Sequence, residues 1–571
     1  MPPGTGRIPA GTLGRHQHAD CNRRGLCSHG RGQCGNSMKT LYTNGSIHTL
    51  RSPEETFRCL GVEDGRITWL ADAEPADAAG WERVDLEQGH VFPALTDSHL
   101  HLLYSIVLAA SSFPICQVRE GRLWPDTLAG VEQSIRAWCR ENPRQKLMVA
   151  NGYVTSAVAQ KRLPTRQELD DWTGGRKAVV YNIDGHSSAM STALMRALKI
   201  PEEGHDGIFS GEAHEFIQGR VTGLIAASVS PRLLAQGIAR FTDECARYGI
   251  GRVCALDGNE DVDSDWLTAA LAFIARRMEI DVRLFPQYTS PEKAERFFRL
   301  QAVPRMGGCG AWELDGSVGS HSAAFDIPYK DRDDTGHCYR SREFIHTRLA
   351  RAIANGVQFS CHAIGSAAIR QILGLYKELL PRDTVDGAPL HRIDHCEFPC
   401  REEVETLKTL PLAVTVQPGF SWLDKRYLKS YEHFLTPEVI GRQIPLRELA
   451  EAGVCLCGSS DSPVQSIDPY AQMLGMVDYY LPDQSLTPWQ ALCSYTVNPA
   501  RMLGELADTG TLEPGKEASF FVTDRDLTAA APGELADTRA RYTVVRGRRL
   551  QPHAGTVSEL LRLLLRRPKK I

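Results

Sequence analysis

The chain has 571 residues, 42% of them hydrophobic and 23% charged, with a formal net charge of −4. That balance is ordinary for a globular protein long enough to hold a barrel and an accessory domain, and it supplies no basic field for nucleic acid. Sixteen cysteines are scattered with no C-x-x-C pair, no apolar run approaches the ~20 residues a membrane span needs, and no apolar leader opens the chain, so a reducing, cytoplasmic compartment is expected.

Residues 1–37 are rich in Gly and Arg and carry His16, His18, His29, Cys21, Cys27 and Cys34 at spacings that fit no common zinc pattern. They read as a disordered extension, with Met38 opening the first strand-like run. In 38–90, Leu41-Tyr42-Thr43 and Ile47-His48-Thr49 flank Asn44-Gly45, and Leu60-Gly61-Val62 and Ile67-Thr68-Trp69 flank Asp64-Gly65. Both are hairpin signals. Such strands need a covering sheet, and Ala518–Val522 with Tyr542–Val545 offer one. The prediction is a small β-sandwich built from 38–90 and 505–550, with 91–504 inserted between them.

Strand-like and helix-like runs alternate through 91–504, which argues for parallel βα units. The predicted strands are 91–97, 253–257, 282–286, 309–315, 358–362, 392–395, 412–416 and 454–457. Eight is the number of a closed (β/α)8 TIM-like barrel, so the fold class is α/β. Helices are expected over 343–355, 366–380 and 486–503. The stretch from about 143 to 235, with its strand-like Val179–Ile183, is expected to form an inserted lobe. Residues 551–571 read as a short helix capped by Ser558 with a solvated basic tail.

The first barrel strand leads into His99-Leu100-His101, whose i, i+2 spacing aims both imidazoles at one point. His362 ends the fifth strand, His395 the sixth, and Asp461 follows the eighth. Singly, each has a structural reading; together, strand ends of a barrel converge on one mouth. Such N/O donors suit Zn²⁺ first, with Mn²⁺, Fe²⁺ or Co²⁺ as alternatives.

With these residues in view, and with Asp184-Gly185-His186-Ser187, Leu314–Ser320, Gln417-Pro418, Thr496–Ala500 and Gly510–Lys516, the sequence resembles the metal-dependent amidohydrolase superfamily. The likeness is to its amidohydrolase-3 branch, which includes N-substituted formamide deformylases. It covers nearly all of 38–550. The resemblance implies that His99, His101, His362, His395 and Asp461 hold the metal and that Asp461 is also the general acid/base. His395 or His186 would steady the oxyanion. It departs at three positions. Ala311 stands where the family usually has a bridging lysine; Glu313, two residues on and facing the same way, is either the replacement bridge or a salt-bridged barrel residue, and the site holds one or two ions. Ser366 stands where Asp is usual, and His321 where Arg is usual. Tyr104, Trp312, Phe420 and Trp422 are candidate pocket aromatics.

The expected function is hydrolysis of a non-peptide C–N bond, of amide or formamide type, in a small organic substrate. The expected partners are that substrate and a divalent metal, with neither nucleic acid nor membrane and with a homo-oligomer left open. The alternative is a catalytically silent scaffold of the same fold, for which Ala311 is the main argument.

Overall fold

The computed structural model describes residues 39–571 apart from 120–121, 259–265, 382–384 and 386, so the reading of 1–37 lies outside the described residues. Eight parallel strands position the site: β1 (Leu95–Leu100), β2 (Ile250–Asp257), β3 (Asp281–Pro286), β4 (Arg305–Glu313), β5 (Gln358–Ala363), β6 (His391–His395), β7 (Leu412–Val416) and β8 (Cys455–Gly458). They hydrogen-bond as two sheets, β3-β2-β1 and β4-β5-β6-β7-β8. The edges of the two sheets approach each other at both seams. Leu100 bridges Ser462 in parallel, the Asp461 N–H donates to the His99 carbonyl at 2.9 Å, and β3 packs beside β4. Every residue of β1, β2, β3, β5, β7 and β8 is buried, as parallel strands covered on both faces require.

The expected first strand divides in two. His90–Pro93 pairs with Phe520–Thr523 in a sheet of the chain ends, and only Leu95–Leu100 joins the parallel strands. Pro93 has no N–H with which to continue a ladder, so the chain changes sheets there. The fourth strand, expected at 309–315, spans Arg305–Glu313. The expected helix over 486–503 is two, Pro488–Cys493 and Val497–Met502.

Lys39–Thr43 and Ser46–His48 flank Asn44-Gly45 without pairing with each other. The first joins a four-stranded sheet with Cys59–Glu63, Arg66–Ala71 and Glu82–Asp85. The second joins a six-stranded sheet with Thr56–Phe57, His90–Pro93, Phe520–Thr523, Tyr542–Val545 and Arg548–Arg549. Asn44, at φ 60°, is therefore a corner between sheets instead of a hairpin turn. The Asp64-Gly65 hairpin does form, with Glu63 opposite Arg66. Tyr42, Leu60, Val91, Phe520 and Val544 share one core, so both chain ends bury apolar surface together.

The inserted segment starts earlier than 143. Ser112–Pro114 is the edge of a five-stranded sheet continued by Leu147–Tyr153, Lys177–Asn182, Ser187–Met190 and Ile208–Ser210. Helix Leu128–Glu141 buries Leu128, Val131, Ile135 and Cys139, the helical three- and four-residue spacing of an apolar face. The chain returns through helix Pro231–Tyr248, capped by Ser230 and ended by Gly249 at φ 82°. Gly237 of this helix meets the Ile106 carbonyl of helix Leu102–Ser111, where a Cβ would come within 2.3 Å. That close crossing fixes the helix whose N-cap is His101.

The C-terminal helix Val557–Leu564 is capped by Thr556, not Ser558, with Glu559 completing a capping box. Its basic tail is docked at its end, where Lys569 Nζ lies 2.9 Å from Asp281 and Ile571 is buried, while Arg566, Arg567 and Lys570 stay exposed. No helix among the described residues is long and apolar enough to cross a membrane.

Candidate metal centre and active site

The ends of β1, β5 and β6 and the turn after β8 bring His99, His101, His362, His395 and Asp461 to one point. Asp461 Oδ1 is 3.2 Å from both His99 Nε2 and His101 Nε2. The rings of His99 and His395 lie 5.1 Å apart, those of His362 and His395 4.4 Å. His395 at φ 71° and Asp461 at φ 55° both sit in the left-handed region, where a side chain is strained. Such strain is held where placement matters more than local ease.

At the centre stands a residue the sequence reading passed over, Cys309. Its Sγ is 3.3 Å from His99 Nε2, 3.8 Å from His362 Nδ1 and 3.9 Å from His395 Nε2. Counting back from Asp315-Gly316-Ser317 leads to Ala311, but Ala311 packs into the core. The pairing of β4 with β5 shows why. Gly308 opposes Cys361, and the next paired residue, Glu313, opposes His362, so four residues bulge between them. Gly307 makes this possible: at φ 103°, a Cβ would lie 2.0 Å from the Ser360 carbonyl. The legible signal was Gly307-Gly308-Cys309-Gly310, a glycine-rich strand carrying one thiol.

Glu313, expected as a replacement ligand, stands beside the cluster. Its Oε1 accepts from the Gly310 N–H at 2.7 Å, and its Oε2 lies 3.9 Å from His186 Nδ1. Among the described residues, the groups at this mouth that could hold an ion are His99/His101/Cys309, Cys309/His362/His395 and His99/His395/Asp461. Glu313 steadies His186, whose ring stands 5.2 Å from that of His362. His186 arrives from the inserted lobe on a latched loop. Asp184 Oδ2 accepts from Ser317 Oγ at 2.9 Å and Ser320 Oγ at 2.7 Å, while Asp184 Oδ1 accepts from the His186 N–H at 3.1 Å. The Asp-Gly-His and Asp-Gly-Ser motifs thus hold each other.

Burial is the largest influence on these groups, and it opposes every charge. Around Cys309 the imidazoles, His99 first, outweigh it and hold the thiol well below its usual range. The same histidines hold Asp461 well below the usual carboxylate range. Against their own burial, His99 is raised well above its usual value by Cys309, Asp394 and Asp461, and His101 to about 10 by Asp461. Protons on imidazole therefore answer the two anions, and those are the protons a bound metal displaces.

The donor set fits a divalent transition metal. Imidazole, thiolate and carboxylate are its ligand types. Second ring nitrogens are held from outside: His101 Nδ1 lies 3.1 Å from the Leu256 carbonyl, His362 Nε2 3.2 Å from the Gly316 carbonyl, and His99 Nδ1 3.1 Å from Asp394 Oδ1. Such outer acceptors set the tautomer of metal-binding histidines.

A cavity of about 360 Å³ opens over the cluster, lined by Tyr104, Leu108, Tyr181, Leu271 and His186. A smaller one of about 100 Å³, lined by Phe420, Glu397 and Tyr431, shares His186, His395 and Asp461. Of the candidate aromatics, Tyr104 and Phe420 line cavities. Trp312 is fully buried core, and Trp422 Nε1 donates to Asp478 at 3.3 Å. His321 turns to Asp331 at 3.0 Å and Ser366 to Asp326 at 2.7 Å, so neither joins the cluster.

Known proteins resemble the chain over nearly its whole length. An N-substituted formamide deformylase of Arthrobacter pascens is 23% identical over 89% of this chain and 97% of its own. The putative amidohydrolase YtcJ of Bacillus subtilis is 21% identical over 89% and 99%. The structure of an uncharacterized metal-dependent hydrolase from Pyrococcus horikoshii superposes with a TM-score of 0.65 at 22% identity, over 87% of this chain and 99% of that one, and carries the same TIM-barrel-like α/β fold. Residues 82–551, which contain every member of the cluster at the strand ends, match the amidohydrolase family, and the chain belongs to it.

Proposed function

We propose that the protein hydrolyses a non-peptide C–N bond, of amide or formamide type, in a small organic substrate. The carrying observation is the Asp461 carboxylate, buried 3.2 Å from two imidazoles at the floor of the main cavity. An ion held by His99, His101, Cys309, His362, His395 and Asp461 would act as a Lewis acid and bring the pKa of its water to about 7. Asp461 takes the proton of the attacking water and returns it to the leaving nitrogen. His186, steadied by Glu313 and by the Asp184 latch, faces the position where the carbonyl oxygen gains charge and donates to it. His395, grouped with Cys309, serves the ion instead.

The thiolate favours zinc among the candidate ions. Cys309, His99 and His395 each belong to two of the ligand groups, which is compatible with one ion or two. The approach of the strand edges at both seams supports a closed eight-stranded barrel over 91–504, and the common core of the two end sheets supports a β-sandwich from 38–90 and 505–550. The free thiols of the described residues support a reducing, cytoplasmic setting. The A. pascens relative's name supports the C–N bond as target. A ligand role for Cys309 would remove the main argument for the scaffold alternative, which rests on Ala311.

The test is turnover of an N-formyl and aryl-amide panel by the zinc- or manganese-loaded protein, beside Asp461→Asn. The expected result is hydrolysis of a panel member and a loss on the order of 10³-fold in the variant. Metal bound with no turnover of any compound would favour the scaffold.

A further inference from the structure

The sheet that joins the two chain ends carries a second group of metal-ligand residues, sharing nothing with the barrel mouth. His48 lies in Ser46–His48, His90 in His90–Pro93, and Asp526 just beyond Phe520–Thr523. Ser46 pairs with His90 in parallel and Thr523 with His90 antiparallel. His48 and His90 therefore sit diagonally on one face of adjacent strands, and Asp526 comes over the same edge. One ligand atom from each of the three lies within 4.8 Å of the others.

We propose that His48, His90 and Asp526 bind a zinc-class divalent ion that clips the N-terminal strands to the C-terminal one. Two imidazoles and one carboxylate are borderline donors, suited to zinc or cobalt and poorly suited to magnesium or calcium. The surroundings pre-set the ligands. Asp526 Oδ1 accepts from the Thr528 N–H at 2.9 Å and from Thr528 Oγ1 at 2.6 Å, which orients the carboxylate. The His48 ring stacks on Phe92 with centroids 4.4 Å apart and an interplanar angle of 15°. Burial keeps both imidazoles neutral, the form that binds metal, with His48 brought down to about 4. The neighbouring cation, Arg541, is engaged by Asp524 and the Leu86 carbonyl.

The His48 Nε2 to His90 Nδ1 contact of 2.9 Å is a hydrogen bond in the absence of an ion, but it leaves His48 in deficit. His48 Nδ1 is buried and has no hydrogen-bond partner, in either tautomer. An ion here would close the chain across more than 400 residues, from His90 to Asp526, and would favour the folded state by mass action.

The experiment strips the full-length protein of metal, dialyses it against zinc ions alone, and counts zinc per chain in the wild type, His90→Gln and Asp526→Asn. Wild type is expected to hold one zinc more than His90→Gln, and zinc is expected to raise its unfolding midpoint above that of the variant. Turnover at the mouth is expected to be unchanged. Should His90→Gln fail to fold, Asp526→Asn at the surface decides, with a 10-fold or greater weakening of that one equivalent. Equal zinc content and equal midpoints in wild type and folded variants would overturn the proposal and leave a plain imidazole pair. That failure is separable from failure of the proposed function, which is read from turnover.

Discussion

The two ends of the parallel strands bury charge in opposite ways. At the floor, Arg283 grips Glu505 through Nε at 2.6 Å and Nη2 at 2.9 Å, Arg305 adds a contact to Glu505 at 3.2 Å, and Arg546 and Lys569 meet Asp281 at 2.8 and 2.9 Å. Full cations face full anions there, and the charges close upon themselves. The guanidinium groups of Arg252, Arg283 and Arg305 hold Glu505 down at about 2 despite its burial. At the mouth, the anions Cys309 and Asp461 face only imidazoles, which can give up their protons. The floor is a set of ion pairs that stabilises the strands; the mouth is a set of donors that can be re-partnered. The lesson is that burial and charge do not separate structure from chemistry, whereas the choice of counter-group does.

The comparison is most sharply broken at Asp461, whose Asn variant should lose catalysis while the floor keeps the fold. Next comes the floor itself. Glu505→Gln leaves Arg283 and Arg305 without their carboxylate, and the unfolding free energy should fall by about 3–5 kcal/mol by denaturant titration, with metal content of the folded fraction unchanged. A loss of bound metal in that folded fraction would show that the two ends are not independent.

A smaller loss is expected at the bulge. Gly307→Ala sets a Cβ against the Ser360 carbonyl, so it should cost about 1–3 kcal/mol of stability and lower metal content by moving Cys309. Stability lost with metal binding intact would mean the bulge does not position the thiol.

These positions also show how far the sequence could be read. The convergence of His99, His101, His362, His395 and Asp461 was legible because parallel strands end at one mouth and each residue stands at or just beyond the end of a strand-like run. Cys309 was not, because a bulge breaks the two-residue period on which counting from Asp315 depends. Nothing local shows that Glu313 would lie beside His186, because His186 arrives on a loop of the inserted lobe. In the same way Asn44-Gly45 carries a hairpin signal, yet its flanking strands find better partners in different sheets. Local turn chemistry was read correctly, and long-range pairing overruled it.

The smallest effect lies at the docked C-terminus. His553 Nδ1 lies 2.6 Å from Asp243 and its Nε2 3.5 Å from Glu279. Glu279 foremost, with Asp243, lifts His553 to about 9 against its burial. A raised folded value means the stabilisation is fully present below about pH 6.5 and is lost as pH rises through about 9. Wild type should therefore exceed His553→Gln in unfolding midpoint at pH 6, and the gap should vanish by about pH 10. A gap independent of pH would assign the effect to packing.

The central claim is that the thiolate of Cys309 lies at the heart of a metal centre, and cobalt substitution tests it most directly. Cobalt-loaded wild type should show a sulfur-to-metal charge-transfer band in the near ultraviolet beside its visible bands, and Cys309→Ser should lose that band while retaining cobalt bound by the histidines. The same spectrum in both proteins would contradict the account.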